Sequence, residues 1–328
     1  MLSDRTQGDV GTPCAVYARS GLTGPSLDRV HSRGAMSDLK ISLGDNLTVL
    51  ADLEPGSVDL VYIDPPFNTG KPRTHATLRT RRAADGEAGD RRGFGGQAYS
   101  TTKGTERRYA DAFDDFEAFL VPRLEALHRV LKPDGSLFLH LDPREVHYAK
   151  VWCDGVFGRA SFMNELIWAY DFGGRAKQRW SAKHDNILWY AKDPARYTFH
   201  FDAMERIPYM APGLVGKEKA ARGKTPTDVW WHTIVPTAGK ERTGYPTQKP
   251  LGVLRRIVAV HSSPGELVLD AFAGSGTTGA AALELGRRAH LIDANPAALE
   301  VMAARFADAD PTYQGWSPEP VREGADGT

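Results

Sequence analysis

The sequence predicts an α/β fold in which a mostly parallel sheet carries helices on both faces and a smaller lobe is inserted. Buried strands alternate with amphipathic helices over residues 37–160 and again over 246–308, the pattern of a sheet built from βα units. Residues 161–245 lose this alternation and become rich in aromatic and basic side chains. We therefore expect one large α/β domain, interrupted by a small β-rich lobe at 161–245.

The composition is that of a globular protein with a large core, and it excludes several classes. The 328 residues include 41 Lys or Arg, 41 Asp or Glu and only two cysteines, Cys14 and Cys153. Two distant cysteines provide neither a disulfide framework nor a cysteine zinc site, and they fit a reducing cytoplasm. The longest apolar runs fall far short of the roughly 18 residues that a membrane span requires, so we expect no membrane partner.

Both ends of the chain lack the pattern of packed structure. Residues 1–36 are rich in Gly, Ser, Arg and Thr and contain no apolar core of a secretory signal, so we expect a disordered tail there. Patterned sequence starts at Met36, so a start of the protein at Met36 is an alternative interpretation of this segment. Residues 309–328 are rich in Pro and Gly, and we expect a loose C-terminal tail.

The first half of the domain alternates strands and helices in order. LKISLGD is a strand, a short helix follows and stops at Pro55-Gly56, and VDLVYI, residues 58–63, is an apolar strand typical of the interior of a parallel sheet. A helix with apolar residues at helical spacing then runs from about Phe116 to Leu131 and stops at a Pro-Asp-Gly turn. The strand SLFLHLD and a helix within REVHYAKVWCDGVFG complete this half.

Two segments concentrate positive charge although the total charge is zero. Residues 71–108 carry ten Lys or Arg against four Asp or Glu and show no apolar periodicity, which predicts a mobile basic loop. Residues 173–224 carry eleven against five, among many aromatic side chains. Such a mixture suits a surface that neutralises phosphates and stacks on bases, with binding that weakens as salt rises. The alternatives are a solvated insertion without contacts at 71–108 and, for each single aromatic residue, a place in the core of the lobe.

A glycine loop in the second half has the form of a nucleotide-binding turn in a Rossmann-like fold. LVLDAFAGSGTT places Gly274 and Gly276 between a strand and a helix that begins at about Thr277. Glycine lets the main chain turn tightly, and the free N–H groups of the helix N-terminus face a bound ligand. Asp293 follows at the end of the next strand, where its carboxylate can accept both ribose hydroxyls of an adenosine ligand. NAD, FAD and S-adenosylmethionine sites all use such a loop.

The segment IDPPFNTG follows the buried strand 58–63 and predicts a reaction. An exocyclic amine of adenine or cytosine is a poor nucleophile because its lone pair is delocalised into the ring, so a methylating site must accept hydrogen bonds from its N–H groups. Asp64 offers a carboxylate and the Pro65 carbonyl a second acceptor, which Pro65 and Pro66 hold in place. Phe67 offers a flat face for a base that has been swung out of a duplex. A proline-rich turn without chemistry is the alternative.

The order of these motifs resembles that of a known family. DPPFNTG comes first, an aromatic and basic region follows, and DAFAGSGTT comes last, as in the circularly permuted beta group of S-adenosylmethionine-dependent DNA amino-methyltransferases. TQKPLGVLRRIV is similar to the helix that closes over the methionine end of the cofactor in that family. The resemblance covers residues 39–308 and implies a methyltransferase fold, S-adenosylmethionine as cofactor, duplex DNA as substrate and 161–245 as target-recognition region. It implies no metal.

The resemblance also implies roles for individual residues. Lys249 is expected near the carboxylate of the cofactor. Asp45 is expected to face the cofactor adenine, and a helix cap is an equally good interpretation of this residue. The catalytic tetrad corresponds to Asp64, Pro65, Pro66 and Phe67. The residues expected to line the cofactor are Asp270, Phe272, Gly274, Ser275, Gly276, Thr277, Thr278 and Asp293. Candidates for contacts with DNA phosphates are Arg175, Lys177, Arg179 and Lys183.

Two departures from the family pattern refine these expectations. The last tetrad position is Phe where Tyr is more common, and the chain is about half the size of type III modification subunits, which favours a stand-alone or type II-like enzyme. In this family, enzymes with Asp at the first tetrad position mostly methylate N6 of adenine, whereas enzymes with Ser there mostly methylate N4 of cytosine. Adenine is therefore favoured, and N4-cytosine methylation is the alternative. A homodimer and a cognate restriction endonuclease are further partners to consider.

Three rival functions stay open at the level of sequence. A nicotinamide-dependent oxidoreductase accounts for the glycine loop and Asp293 but leaves DPPF and the basic aromatic region unexplained. A non-catalytic nucleic-acid-binding protein with the same fold accounts for the charge pattern but leaves the intact Asp64 and Phe67 unexplained. RNA is an alternative substrate to duplex DNA.

Overall fold

The computed structural model describes residues 38–68, 113–236 and 239–318, together with the backbone of strands at 73–82, 91–92 and 98–109. The predicted N-terminal tail lies outside the described residues, as does the last part of the C-terminal tail. None of the helices in the described part of the chain combines the length and the apolar character needed to span a bilayer.

The described chain alternates strands and helices in the predicted order through most of its length. The elements are β1 (Leu39–Leu43), α1 (Asn46–Ala51), β2 (Val58–Ile63), β3 (Arg73–Arg82), β4 (Arg91–Arg92), β5 (Ala98–Tyr109), α2 (Phe116–Val130), β6 (Leu131–Leu141), α3 (Val146–Phe157), β7 (Phe162–Ala169), β8 (His184–Ala191), α4 (Lys217–Arg222), β9 (Val229–Trp231), α5 (Leu251–His261), β10 (Leu267–Asp270), α6 (Thr277–Glu284), β11 (Arg288–Asp293), α7 (Pro296–Arg305) and β12 (Thr312–Gln314). Short 3-10 turns lie at Arg159–Ser161, Phe201–Ala203, Pro212–Leu214 and Ala307–Ala309.

Nine strands form the main sheet in the order β12-β1-β11-β10-β2-β6-β8-β7-β9. Neighbouring strands are parallel except where β8 pairs with β6 and with β7. This confirms the predicted mostly parallel α/β sheet. Because the strands run in one direction, β1, β2, β6, β10 and β11 all end at one edge, where α/β folds bind ligands.

Apolar side chains form a core layer on each face of the main sheet. Leu60 and Tyr62 of β2 pack in the layer that includes residues of α5, α6 and α7. Val61 and Ile63 pack in the opposite layer with residues of α1, α2 and α3. All six residues of β2 are buried, as expected of a strand covered on both faces.

The prediction of a separate lobe that starts at 161 is wrong for its first strands. β7 and β8 extend the main sheet beyond β6, so residues 162–169 and 184–191 belong to the α/β domain. The physical reason is burial: β8 reads HDNILWYA, and all but its first residue are buried in a core that the neighbouring strands share. Trp168, Trp189 and Trp230 are likewise buried, which matches the reading of single aromatic residues as core.

The described parts of the segment 71–108, which the sequence predicts as a mobile basic loop, are strands. β3 and β5 pair as long antiparallel strands, and β4 pairs with β5, in a second sheet of three strands. Polar strands rich in Thr and Arg satisfy their backbone groups by pairing, without the apolar alternation from which strands are recognised in a sequence.

The C-terminal segment is not loose throughout. β12 adds a parallel edge strand beside β1, with Lys40 opposite Thr312. Tyr313 and Trp316 are partly buried against the core, and their rings meet edge to face with centroids 5.3 Å apart. Burial of these two aromatic side chains fixes a segment whose Pro and Gly content predicts a tail.

Candidate active site

A cavity of about 1620 Å³ opens at the carboxyl edge of the main sheet. Side chains that follow β1, β2, β6, β10 and β11 line it. Because pockets for a single small ligand measure roughly 300–1,000 Å³, this cavity has room for two ligands side by side. The DPPF segment and the glycine loop, separated by some 200 residues of chain, both line it.

The glycine loop turns sharply between β10 and α6. Gly274 and Gly276 have φ angles of +49° and +73°, a left-handed conformation that favours glycine. A Cβ on Gly276 would lie 2.8 Å from a ring carbon of Phe306, so only glycine fits between this turn and α7. α6 begins at Thr277, as predicted.

Two carboxylates, Asp270, which is buried, and Asp293, which is half-buried, fix the glycine loop. Asp270 accepts hydrogen bonds from Phe272 N at 3.0 Å and from Thr278 Oγ1 at 2.5 Å. Burial raises the pKa of Asp270 to about 7; these hydrogen bonds oppose the rise, and the charges of Asp64 and Asp293 add to it. Asp293 accepts from Gly274 N through one oxygen and from Asn295 N through the other, both at 2.8 Å, and burial raises its pKa.

Most of the residues predicted to line the cofactor do line the cavity. These are Asp270, Phe272, Gly274, Ser275, Thr277, Thr278 and Asp293. Gly276 is not among the lining residues, because it faces Phe306 and serves the turn. The Thr277 hydroxyl lies 3.1 Å from that of Ser275 and accepts a hydrogen bond from Arg305 at 3.1 Å.

Asp45 behaves as a helix cap. Its Oδ1 accepts a hydrogen bond from Leu47 N at 2.9 Å at the start of α1, and its Oδ2 pairs with Arg123 at 2.8 Å. The residue also lies on the cavity, and its predicted contact with an adenine stays a prediction.

The next residue, Asn46, offers the free acceptor that sequence reasoning missed. Its Nδ2 donates to the Ala271 carbonyl at 2.9 Å, and its Oδ1 is buried without a hydrogen-bond partner among the described residues. Asn46 also lines the cavity. The signal in the sequence was the same LGDN turn, which does not tell which of the two neighbouring polar residues faces inward.

Asn68 fixes the DPPF segment, a role that the sequence did not reveal. Its backbone is left-handed, with φ +52°, a conformation that asparagine adopts more readily than most residues. Its side chain donates to Glu145 Oε1 at 2.9 Å and accepts from Phe113 N at 2.9 Å. The end of the DPPF segment is thereby held against the start of α3 and the segment before α2.

The carboxylate of Asp64 has one bound and one free oxygen. Oδ2 is paired with the ammonium of Lys249, whereas Oδ1 is buried and has no hydrogen-bond partner in the described structure. The Lys249 ammonium also lies 5.0 Å from the centre of the Phe67 ring. Lys249 contacts the first and last residues of the tetrad, because the segment before α5 folds back onto the end of β2. Its predicted contact with the carboxylate of a cofactor stays a prediction.

A chain of buried polar side chains lies beside the tetrad. Tyr62 Oη lies 2.6 Å from His140 Nδ1, His140 Nε2 lies 3.3 Å from Asp185 Oδ2, and Tyr170 Oη donates to Asp185 Oδ1 at 3.0 Å. Burial opposes ionisation of Asp185, but the hydrogen bond and charge of His140, the charge of Lys249 and the Tyr170 hydroxyl together lower its pKa. No sequence motif marks these residues, because they come from three strands and one loop with no shared spacing.

The four predicted phosphate contacts lie on one exposed loop, residues 171–183, but they differ in availability. Arg179 lines the cavity, and Lys177 is exposed. Arg175 pairs with Asp171 at 3.0 Å. Lys183 donates to the carbonyls of Phe172, Gly173 and Gly174, so its ammonium closes the base of the loop.

Solved structures of similar fold include a complex with S-adenosylmethionine and a DNA methyltransferase. The complex of M1.HpyAVI with SAM (S-adenosylmethionine) has a TM-score of 0.52 and 18% identity, over 81% of this chain and 98% of that one. The PvuII DNA methyltransferase, described as cytosine-N4-specific, has a TM-score of 0.57 and 15% identity, over 83% and 89% of the two chains. At this level of identity the likeness concerns the fold, and it confirms the predicted methyltransferase fold.

Sequence comparison extends the likeness from fold to family. The DNA adenine methyltransferase YhdJ of Escherichia coli (strain K12) is 30% identical over 258 residues, which cover 75% of this chain and 74% of the relative. The profile of the N6/N4 methyltransferase family, described as DNA methylase, matches residues 58–304, which include both the DPPF segment and the glycine loop. S-adenosylmethionine is the methyl donor of this family. The chain therefore belongs to the N6/N4 DNA methylase family and is a DNA methyltransferase.

Proposed function

We propose that the protein methylates N6 of adenine in duplex DNA at a specific sequence, with the target base flipped out of the helix. The observation that carries the proposal is the Asp64 carboxylate: its Oδ1 is buried and unpartnered among the described residues, and Asp64 lines the same cavity as Phe67. An acceptor without a donor in a cavity is costly for a folded protein, and an incoming N–H group removes that cost.

The other half of the cavity fits the cofactor. Gly274 presents main chain without a side chain, Asp293 marks the end of β11, and Asn46 offers a buried free carbonyl oxygen of the kind that an adenine amino group satisfies. We assign these residues to the adenosine end of S-adenosylmethionine. When bound, the cofactor supplies an electrophilic sulfonium methyl group.

The residues of the tetrad prepare the target amine. Asp64 Oδ1 and the Pro65 carbonyl accept its two N–H groups, which localises the nitrogen lone pair, and Phe67 stacks on the base. Positive charge develops on the nitrogen as it is alkylated, and the fixed negative charge of Asp64 stabilises that change. The proton becomes acidic only at this stage, so Asp64 acts first as an orienting acceptor.

Adenine is the preferred target on two grounds. Asp64 occupies the position where Asp goes with adenine in the resembling group, and YhdJ is described as an adenine methyltransferase. N4 of cytosine is the second candidate, because the cytosine-N4-specific PvuII enzyme shares the fold and because the same acceptors fit its amine. Sequencing of modified bases in the source genome, with and without the gene, reads base, atom and motif together.

The substitution Asp64→Ala tests the proposal. We expect it to lower the rate of methyl transfer to DNA at least about 100-fold, because it removes the acceptor and the stabilising charge. Binding of S-adenosylmethionine, measured by equilibrium dialysis, is expected to survive because Asn46 and the glycine loop are unchanged. Asp64→Asn, which keeps the shape of the side chain, is expected to be impaired as well. Full activity of either variant on duplex DNA would contradict the assignment.

The proposed DNA-facing surface is the exposed loop 171–183. Arg179 lines the cavity, and the exposed cations Lys177 and Arg175 lie close to it in sequence, so phosphates beside a flipped base are within the reach of this loop. A homodimer and a cognate restriction endonuclease stay predictions, which size-exclusion chromatography of the protein and the genes beside it can test.

A further inference from the structure

Lys249 contacts the catalytic DPPF segment, a contact that its sequence context does not predict. Its ammonium pairs with Asp64 Oδ2 and lies within cation–π distance of the Phe67 ring, 5.0 Å from its centre. The side chains of this pair are 10% and 18% exposed, so water screens the interaction poorly. One lysine thus restrains both the residue that accepts the amine and the residue that stacks on the base.

The backbone around Lys249 is held in place by the segment before it. Gln248 donates to the Glu241 carbonyl at 2.7 Å and accepts from Thr243 N at 2.9 Å. Leu251 N donates to the Glu241 carboxylate at 3.0 Å. Both chain neighbours of the Lys249–Pro250 pair are therefore tied down, and the ammonium reaches Asp64 from a fixed base.

The local charges explain why a cation is needed at this position. The charge of Asp64 adds to the upward shift in the pKa of Asp270, which burial chiefly causes, so the two carboxylates lie close enough to repel each other. The ammonium of Lys249 offsets this repulsion and also helps to lower the pKa of Asp185.

We propose that Lys249 is a positioning residue for Asp64: its ammonium holds Oδ2, so that Oδ1 is left as the acceptor for the target amine. This inference rests on the proposed function and deepens it. It competes with the expectation that Lys249 binds the carboxylate of the cofactor. Its consequence is that loss of the lysine impairs methyl transfer and leaves cofactor affinity intact.

Single-turnover methyl transfer and cofactor binding, measured on the same variants, test this inference. Lys249→Met removes the charge and keeps the length of the side chain. We expect it to lower the single-turnover rate constant at saturating S-adenosylmethionine by about 100-fold, the order found when one preorganised stabilising group is removed. The dissociation constant for S-adenosylmethionine, from equilibrium dialysis with the tritiated compound, is expected to stay unchanged. Lys249→Arg keeps the charge and is expected to recover part of the rate.

Lys132→Met is the matched control. Lys132 pairs with the buried carboxylate of Asp59 at 2.5 Å, outside the lining of the cavity. Its removal breaks another lysine–aspartate ion pair, in which the lysine side chain is 38% exposed, so it shows what loss of such a pair does away from the cavity. We expect its rate constant and cofactor affinity to match the wild type. Thermal unfolding identifies any unfolded variant, and Lys249→Gln replaces Lys249→Met if that variant does not fold.

Two results would overturn the inference. The first is cofactor binding weakened about tenfold or more, with an unchanged rate constant at saturation, which would return Lys249 to the cofactor. The second is equal activity of the Met, Arg and wild-type proteins, which would remove the role of the charge. Failure of the proposed function is a different result, because the wild-type protein would then transfer no methyl group to DNA.

Discussion

The substitution Gly276→Ala tests how the glycine loop is built. Gly276 precedes α6 with a φ angle of +73°, and a Cβ there would lie 2.8 Å from Phe306 Cε2 and 3.0 Å from Met302 Cγ of α7. The left-handed backbone conformation and the close packing against Phe306 and Met302 both oppose a side chain at this position. We expect the variant to be less stable and its cofactor loop to be displaced.

The magnitude follows from the two contributions. The left-handed conformation costs a non-glycine residue about 1–2 kcal/mol. Overpacking by one methyl group in a close-packed site costs a further 1–3 kcal/mol, roughly, because Phe306 is 5% exposed and has little room to move. The free energy of unfolding is therefore expected to fall by about 2–5 kcal/mol in total.

Gly286→Ala separates the two contributions. Gly286 has the same φ of +73°, but the nearest atom to an added Cβ is Pro264 Cβ at 4.0 Å, an ordinary contact. This variant is expected to lose only the conformational part, about 1–2 kcal/mol. Urea unfolding of the wild type and both variants, compared at a shared m-value, measures the difference. Equal losses for the two variants would refute the packing argument, and a loss near zero for both would refute the backbone argument.

Two further predictions concern the acidic cluster and the cavity rim. Burial raises the pKa of Asp270 to about 7, above its value in the unfolded chain. The folded state therefore binds an extra proton between roughly pH 4 and pH 7. As pH rises through that range, the wild type is expected to lose stability relative to Asp270→Asn. Urea titrations at several pH values measure this difference, and a pH-independent difference would contradict the assignment. Trp180 lines the cavity and is 95% exposed, which suits a side chain that fills the gap left by a flipped base. Trp180→Ala is therefore expected to impair methylation of a paired duplex more than that of a duplex mismatched at the target base. Trp231→Ala, at another exposed tryptophan, is the control, and equal losses on both duplexes would count against this role.

Local chemistry explains how much of the site the sequence predicts. Asp64 and Phe67 are adjacent to a buried strand, and Gly274 sits between a strand and a helix, so a few residues of sequence carry the whole signal. The parallel sheet follows in the same way, because strands such as β2 are apolar throughout. Each of these predictions depends on residues close together in the chain.

The features that the sequence did not predict depend on distant parts of the chain. Lys249 contacts Asp64 across 185 residues, and no local pattern distinguishes that contact from one with a cofactor. Asp45 and Asn46 are neighbours in one turn, and only the path of the chain decides that the first caps a helix and the second faces the cavity. β8 joins the main sheet because β6 leaves an edge open beside it, a property of the assembled fold.

Analysis of the product nucleosides tests the central claim most directly. Duplex DNA that contains all sequence contexts is incubated with the protein and S-adenosylmethionine, digested to nucleosides and analysed by mass spectrometry, with Asp64→Ala as the control. We predict N6-methyladenine with the wild-type protein and none with the variant. N4-methylcytosine in its place would transfer the assignment to the second candidate. No methylated base, from a folded protein that binds S-adenosylmethionine, would contradict the account.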